Sequence, residues 1–275
     1  AMDEASRCEG GITEGGSCLT RQDLQNKAHA IDSLFDLGKL EEGRAAILEA
    51  LEASKDDSAY HLYFQAEVAG YLEQNSKEQG RLFLEALHHA PDDLFLMRVN
   101  GVWQLMNGKV WTAVRTFDRV LALDPSDADT LRCIGIAHSR LDRDRKAITF
   151  YTQALASNPN DSDAMRQIGV SYSKLGEDRE ALDWFRRALA VNEVDYDSMR
   201  QMGISLAMLA DYEGALQWLR LAQTVNPQDY ETRLNMALVL KKMRGEETWL
   251  ERVSIQLGRW ISRVWGKLLD RFGLR

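Results

Sequence analysis

Apolar residues recur at three- and four-residue steps through most of positions 24–245, in runs of roughly a dozen residues broken by short polar stretches. These steps predict amphipathic helices. The breaks are themselves periodic. With repeat starts at 60, 94, 128, 162, 196 and 230, Gly101, Gly135, Gly169 and Gly203 share the eighth place, and Ala113, Ala147, Ala181 and Ala215 share the twentieth. The twenty-fourth place holds Phe83, Phe117, Tyr151, Phe185 and Leu219. Small residues at two places and a bulky one at a third suit two helices that cross closely and fill the space beside the crossing.

Asp93, Asp127, Asp161, Asp195 and Asp229 each close a unit just before an apolar-periodic run, the position of a helix N-cap. Pro91, Pro125, Pro159 and Pro227 stand two residues earlier and stop the preceding helix, while Asn107, Gly108, Gly176 and Asp211 mark a turn inside the units. Glu193 takes the proline's place in one unit, so the turn there is expected to differ slightly.

A 34-residue period with these columns resembles the tetratricopeptide repeat family. Units 94–127, 128–161, 162–195 and 196–229 match closely, and 60–93 matches with Glu67 and Gln79 at the small places. A unit near 24–57 is offset by two residues, and 230–245 is partial. The resemblance implies an all-α fold, a right-handed α-solenoid of helix-turn-helix repeats, whose first helices line a concave groove and whose ends need capping.

The groove places then become the candidate site. Arg98, Arg132, Arg166 and Arg200 share the fifth place; Gln167, Gln201 and Asn235 share the sixth; Val102, Ile136, Val170, Ile204 and Leu238 share the ninth. An arginine row suits carboxylates of a partner, and amides suit a peptide backbone. The alternative is internal. Asp129, Asp163 and Asp197 lie three residues before Arg132, Arg166 and Arg200 and suit ordinary intrahelical pairs, whereas Phe95 precedes Arg98. The clamp with which some family members hold chaperone tails is absent, since an apolar residue follows each arginine at four residues.

Beyond Gly245 the period is lost, and 247–271 reads as a long amphipathic helix carrying Trp249, Val253, Leu257, Trp260, Ile261, Val264, Trp265 and Leu268, with Phe272 next in the series. From 248 onward, Arg252, Arg259, Arg263, Lys267, Arg271 and Arg275 outnumber Glu251 and Asp270. Three roles suit it: capping the array, lying on a membrane surface, or self-association. Residues 1–23, with Cys8 and Cys18 among glycines, have no hydrophobic period and read as a disordered tail. Ala1 ahead of Met2 has the look of an expression scar, so removal of a native leader or anchor is an open expectation.

Composition narrows the function. A net charge of −8 argues against nucleic acid as a partner, and three cysteines give no disulfide framework, which favours a reducing, cytoplasmic setting. His88 and His89 beside Asp92 and Asp93 form the one compact ligand-like cluster, but it coincides with a helix end and the next cap. No phosphate loop or nucleophile elbow is present. The sequence therefore reads as a non-catalytic module without cofactor or metal, binding another protein or peptide, with an acidic partner suiting the arginine row, as adaptor, chaperone or assembly scaffold. A membrane-peripheral or self-associating organiser using the C-terminal helix, and a bacterial secretion-system chaperone, are the alternatives.

Overall fold

The computed structural model describes residues 19–245, in which every regular element is helical. The first of two compact units ends at Leu123 and contains α1 (Arg21–Asp36), α2 (Leu40–Ala53), α3 (Ser58–Glu67), α4 (Ser76–His89), α5 (Leu94–Met106) and α6 (Val110–Leu123). The second, from Asp124, contains α7 (Ala128–Arg140), α8 (Asp144–Ser157), α9 (Ser162–Lys174), α10 (Asp178–Val191), α11 (Tyr196–Met208), α12 (Tyr212–Val225) and α13 (Tyr230–Met243). Within each unit the helices pair into antiparallel hairpins, each hairpin packing on the next in the manner of an α-solenoid.

Each odd-numbered helix from α3 onward starts on an aspartate whose carboxylate accepts from backbone N–H groups of the first turn: Asp57, Asp93, Asp127, Asp161, Asp195 and Asp229. Inside each hairpin one residue in the left-handed region reverses the chain: Gly38, Gln74, Gly108, Asp142, Gly176 and Ala210. In the second unit the hairpins close where the columns predict. A Cβ on Gly135, Gly169 or Gly203 would stand 2.4, 2.5 and 2.6 Å from Tyr151, Phe185 and Leu219 respectively, too near for any side chain to fit without displacing buried bulk.

The junction at Glu193 corrects an expectation. Asn192 ends α10 at φ −128°, ψ 93°, against −129°, 88° at Asn158 and −125°, 87° at Asn226, where proline follows. The Asn192 side chain accepts from Val194 N–H at 3.3 Å, as Asn226 does from Gln228 at 3.3 Å, so the asparagine sets this turn and proline is dispensable to its shape.

The first unit departs from the repeat at Glu67. There α3 runs into a π-helical turn, Val68–Leu72, which adds a residue to the helix where the small column is broken. Gln79 lies against Gly70, whose missing Cβ leaves room for the amide. Glu67 is buried, and burial together with the nearby Asp32 carboxylate pushes its carboxyl up to about 8. An aromatic core of Tyr60, Tyr63, Phe64, Phe83 and Phe95 fills this unit.

Candidate functional site

The fifth-place arginines of the second unit lie on α7, α9 and α11, and each guanidinium bridges two carboxylates. One belongs to its own helix: Asp129 at 3.2 Å from Arg132, Asp163 at 2.6 Å from Arg166, and Asp197 at 2.6 Å from Arg200. The other is the capping aspartate of the following odd-numbered helix: Asp161 at 3.2 Å, Asp195 at 3.3 Å and Asp229 at 3.0 Å. Arg200 also reaches Glu231 at 3.1 Å. Burial alone would lower Arg132 and Arg166, but the facing carboxylates outweigh it and hold both raised. Burial likewise acts to raise Asp229, and the Thr232 and Arg200 donors bring it below the usual carboxylate range.

This arrangement serves the array itself. Three guanidiniums face seven carboxylates, so the row as built is not an excess of positive charge. On α13, with no further capped helix following among the described residues, the fifth place is Leu234. The internal pairs expected from the three-residue spacing are therefore present, with a second, inter-repeat half that the spacing alone does not reveal. Arg98 lies half-buried on α5 in the first unit, and Val102, one turn on, is exposed.

The first unit ties its caps differently. Phe64 fills the fifth place and is buried, while Arg21 of α1 holds Asp57 at 2.8 Å and reaches Asp93 at 3.6 Å. Tyr60 donates to Asp93 at 3.2 Å and accepts from Gln25 at 2.6 Å. Arg21 carries no signal in the sequence columns because the first repeat is out of register with the later ones. A second feature missed from sequence is a polar seam at the far ends of α7 and α9. Ser139 donates to Asp144 at 2.9 Å and Ser173 to Asp178 at 3.1 Å, while Lys174 reaches Ser139 Oγ at 2.9 Å and Asp144 at 3.7 Å. Its signal was legible as serine in the twelfth and aspartate in the seventeenth place of both units.

Beside the arginines lie the half-buried Gln167, Gln201 and Asn235. Ile136 and Val170 are half-buried and pack partly into the core, Ile204 is half-buried, and Leu238 is exposed. His88 and His89 stack edge to face at the end of α4, and Asp93 is committed to its cap. Cys133 is buried as a free thiol. Trp249, Trp260, Trp265, Arg259 and Arg263 of the expected C-terminal helix, and the expected N-terminal tail except Leu19 to Asp23, lie outside the described residues. Among the described residues no helix is long and apolar enough to cross a membrane.

A family model described as "Tetratricopeptide repeat" matches residues 134–195, covering α8, α9, α10 and most of α7. No curated protein matches the chain in sequence. Among solved structures, pilF of Pseudomonas aeruginosa superposes with a TM-score of 0.59 at 14% identity, over 82% of this chain and 99% of that one. TTC0263, a thermophilic TPR protein of Thermus thermophilus, gives 0.57 at 20% identity over 66% and 98%. A chain of the APC/C hetero-tetramer Cut9-Hcn1 gives 0.65 at 13% identity over 79% of this chain and 43% of its own. At these identities the likeness is one of fold. The repeat model, the 34-residue columns and the glycine-on-aromatic packing agree, and they show that residues 134–195 form tetratricopeptide repeats within an array of the same fold.

Proposed function

We propose that the first-helix face of the second unit binds an extended segment of a partner protein, and that the chain acts as a non-catalytic adaptor or assembly scaffold. The family is one of protein-interaction modules, and a chain of similar fold is part of the Cut9-Hcn1 hetero-tetramer. The observation that carries the reading is the amide row. Gln167, Gln201 and Asn235 recur once per repeat, half-buried, beside the apolar row of Ile136, Val170, Ile204 and Leu238. Each amide offers both a donor and an acceptor, the pair an extended backbone presents whatever its sequence. The arginines hold successive repeats at a fixed spacing, so that the amides stand in register before the partner arrives, which lowers the ordering cost of binding.

An acidic partner engages this row only by competing with carboxylates already bound to it. A neutral or mixed segment meets no such competition, and its affinity depends little on salt. The test is a photo-reactive phenylalanine analogue at Gln167 or Gln201 in the full chain, with Glu180 of α10 as the outer-face control. Adducts with one and the same protein from Gln167 and Gln201, and none from Glu180, support the reading. Equal adducts from all three positions contradict it.

A further inference from the structure

The carboxyl of Glu67 has a need that the array does not meet. Positions 63, 67 and 71 follow at four-residue steps along α3 and the π-helical turn after it, so Tyr63, Glu67 and Tyr71 share the side of this element that meets α1. Asp32 of α1 stands opposite. It accepts from the Tyr71 hydroxyl at 3.2 Å, and its charge reaches both Tyr63 and Glu67. Phe35, further along α1, stacks on the Tyr71 ring with centroids 4.1 Å apart. Four oxygen-bearing side chains therefore converge in the seam between α1 and α3.

Among the described residues Glu67 makes no hydrogen bond or ion pair and the Tyr63 hydroxyl makes no hydrogen bond, although the two side chains are only 7% and 2% exposed. Other buried carboxylates of the chain are met. Asp144 accepts from Ser139 at 2.9 Å, and Asp178 accepts from Ser173 at 3.1 Å. A buried carboxylate without a donor is costly, and Glu67 avoids that cost by holding its proton, its carboxyl pushed up to about 8 by burial and by Asp32. The titrating groups around it are Asp32 from α1 and Tyr63 from its own helix. Gln79 and Phe83 of α4, which lie against Gly70 and Tyr63, carry no charge, and α2 buries only Gly43, Ile47 and Ala50.

We propose that this seam binds the ammonium group of a lysine side chain presented by a partner protein, held by the Glu67 and Asp32 carboxylates and the Tyr63 hydroxyl. An ammonium carries three donors on one compact centre, and the seam offers three groups that accept. A guanidinium is planar and broader, which the narrow entrance at Glu67 and Tyr63 disfavours. Calcium and magnesium draw on carboxylates, carbonyls and water rather than on neutral phenols. Tyr71, 41% exposed, stands at the mouth with Phe35 behind it, so the methylenes of a lysine have an aromatic surface to lie on. The π-helical turn that sets Tyr71 there is a form found frequently at functional sites. As the cation enters it offsets the repulsion between Glu67 and Asp32, and Glu67 releases its proton to solvent. The site lies in the first unit and does not rest on the amide row of the second, so each reading stands or fails without the other.

Titration of the full chain with N-acetyl-lysinamide at neutral pH, followed by NMR with isotope labels at the glutamate carboxyls and tyrosine rings, tests the proposal. The expected result is saturable movement of the Glu67 carboxyl resonance toward its ionised position, with a Kd of about 1–10 mM for a lone side chain. N-acetyl-norleucinamide, which has the stem without the ammonium, leaves the resonance in place, and N-acetyl-argininamide binds at least about threefold more weakly. In E67Q and D32N, followed at the Tyr63 and Tyr71 rings, binding of the lysine amide weakens by about ten- to a hundredfold. Binding is unchanged in E41Q, on the exposed side of α2. Urea unfolding of E67Q, expected to be at least as stable as the parent, separates loss of the site from loss of the fold. Movement with calcium or magnesium chloride and none with the lysine amide assigns the seam to a free metal ion and overturns the proposal. So does a Glu67 resonance unmoved up to about 50 mM lysine amide, an equal response to the norleucine or arginine amide, or binding that E67Q leaves unchanged.

Discussion

Glu67 is the residue at which this repeat array is least like itself. Its carboxyl lies in the first unit near Asp32 and Tyr63, and burial, with the Asp32 carboxylate, pushes it up to about 8 from an ordinary value of 4.5. Below about pH 4.5 the folded and unfolded chains both hold the proton. Between there and about pH 8 the unfolded chain releases a proton that the folded chain keeps, so stability falls as pH rises, by about 1.4 kcal/mol per unit at most. E67Q removes the titration. At pH 7.5 it is expected to raise the stability of the first unit by about 1–3 kcal/mol, with little effect at pH 4.5, as read from urea unfolding at the two pH values. The opposite sign is expected at Gly169. A Cβ there stands 2.5 Å from Cε1 of the fully buried Phe185, and G169A is expected to cost about 1–2 kcal/mol in the same urea assay, despite the better helix propensity of alanine.

At the scale of the element, caps and clamps act together. Each of Asp161, Asp195 and Asp229 satisfies N–H groups of its own helix and also anchors an arginine of the preceding hairpin, so one side chain joins local structure to inter-repeat packing. R166M keeps the aliphatic stem and deletes the charge. It is expected to cost about 1–2 kcal/mol, because Asp195 stays partly buried without its cation, and to reduce the salt dependence of unfolding compared with the parent chain. At Glu193 the backbone already matches the proline-bearing junctions, and Asn192 has the extended conformation a following proline requires. E193P is expected to stabilise the chain by about 0.4–1 kcal/mol, by restricting the unfolded state, with the change read from the shift in urea midpoint.

Legibility followed the same division. The helices, the cap aspartates and the glycine-on-aromatic contacts were readable because each recurs at a fixed period, and a column of aspartates before helical runs has few physical explanations. The arginine row was readable as a row, but its use was not. The pair with Asp129, Asp163 and Asp197 is a three-residue spacing on one helix, whereas the pair with the next cap depends on how hairpins stack. Arg21 and the π-helical turn after Glu67 were missed for a related reason, since both lie where the repeat is out of register and no column exists to compare them with.

At the scale of the whole molecule, the proposed function divides the labour of the second unit: arginines would fix the spacing of the repeats, and the amide and apolar rows would face the partner. Calorimetric titration of a peptide selected on the full chain from a random dodecapeptide library tests this directly, when repeated with Q167A/Q201A and at two salt concentrations about tenfold apart. Loss of two amide contacts predicts affinity weakened by about ten- to a hundredfold in Q167A/Q201A, with less than about threefold change between the two salt concentrations for the parent chain. Unchanged affinity in Q167A/Q201A, together with a steep loss of parent affinity at high salt, would contradict it and return the arginines to the partner.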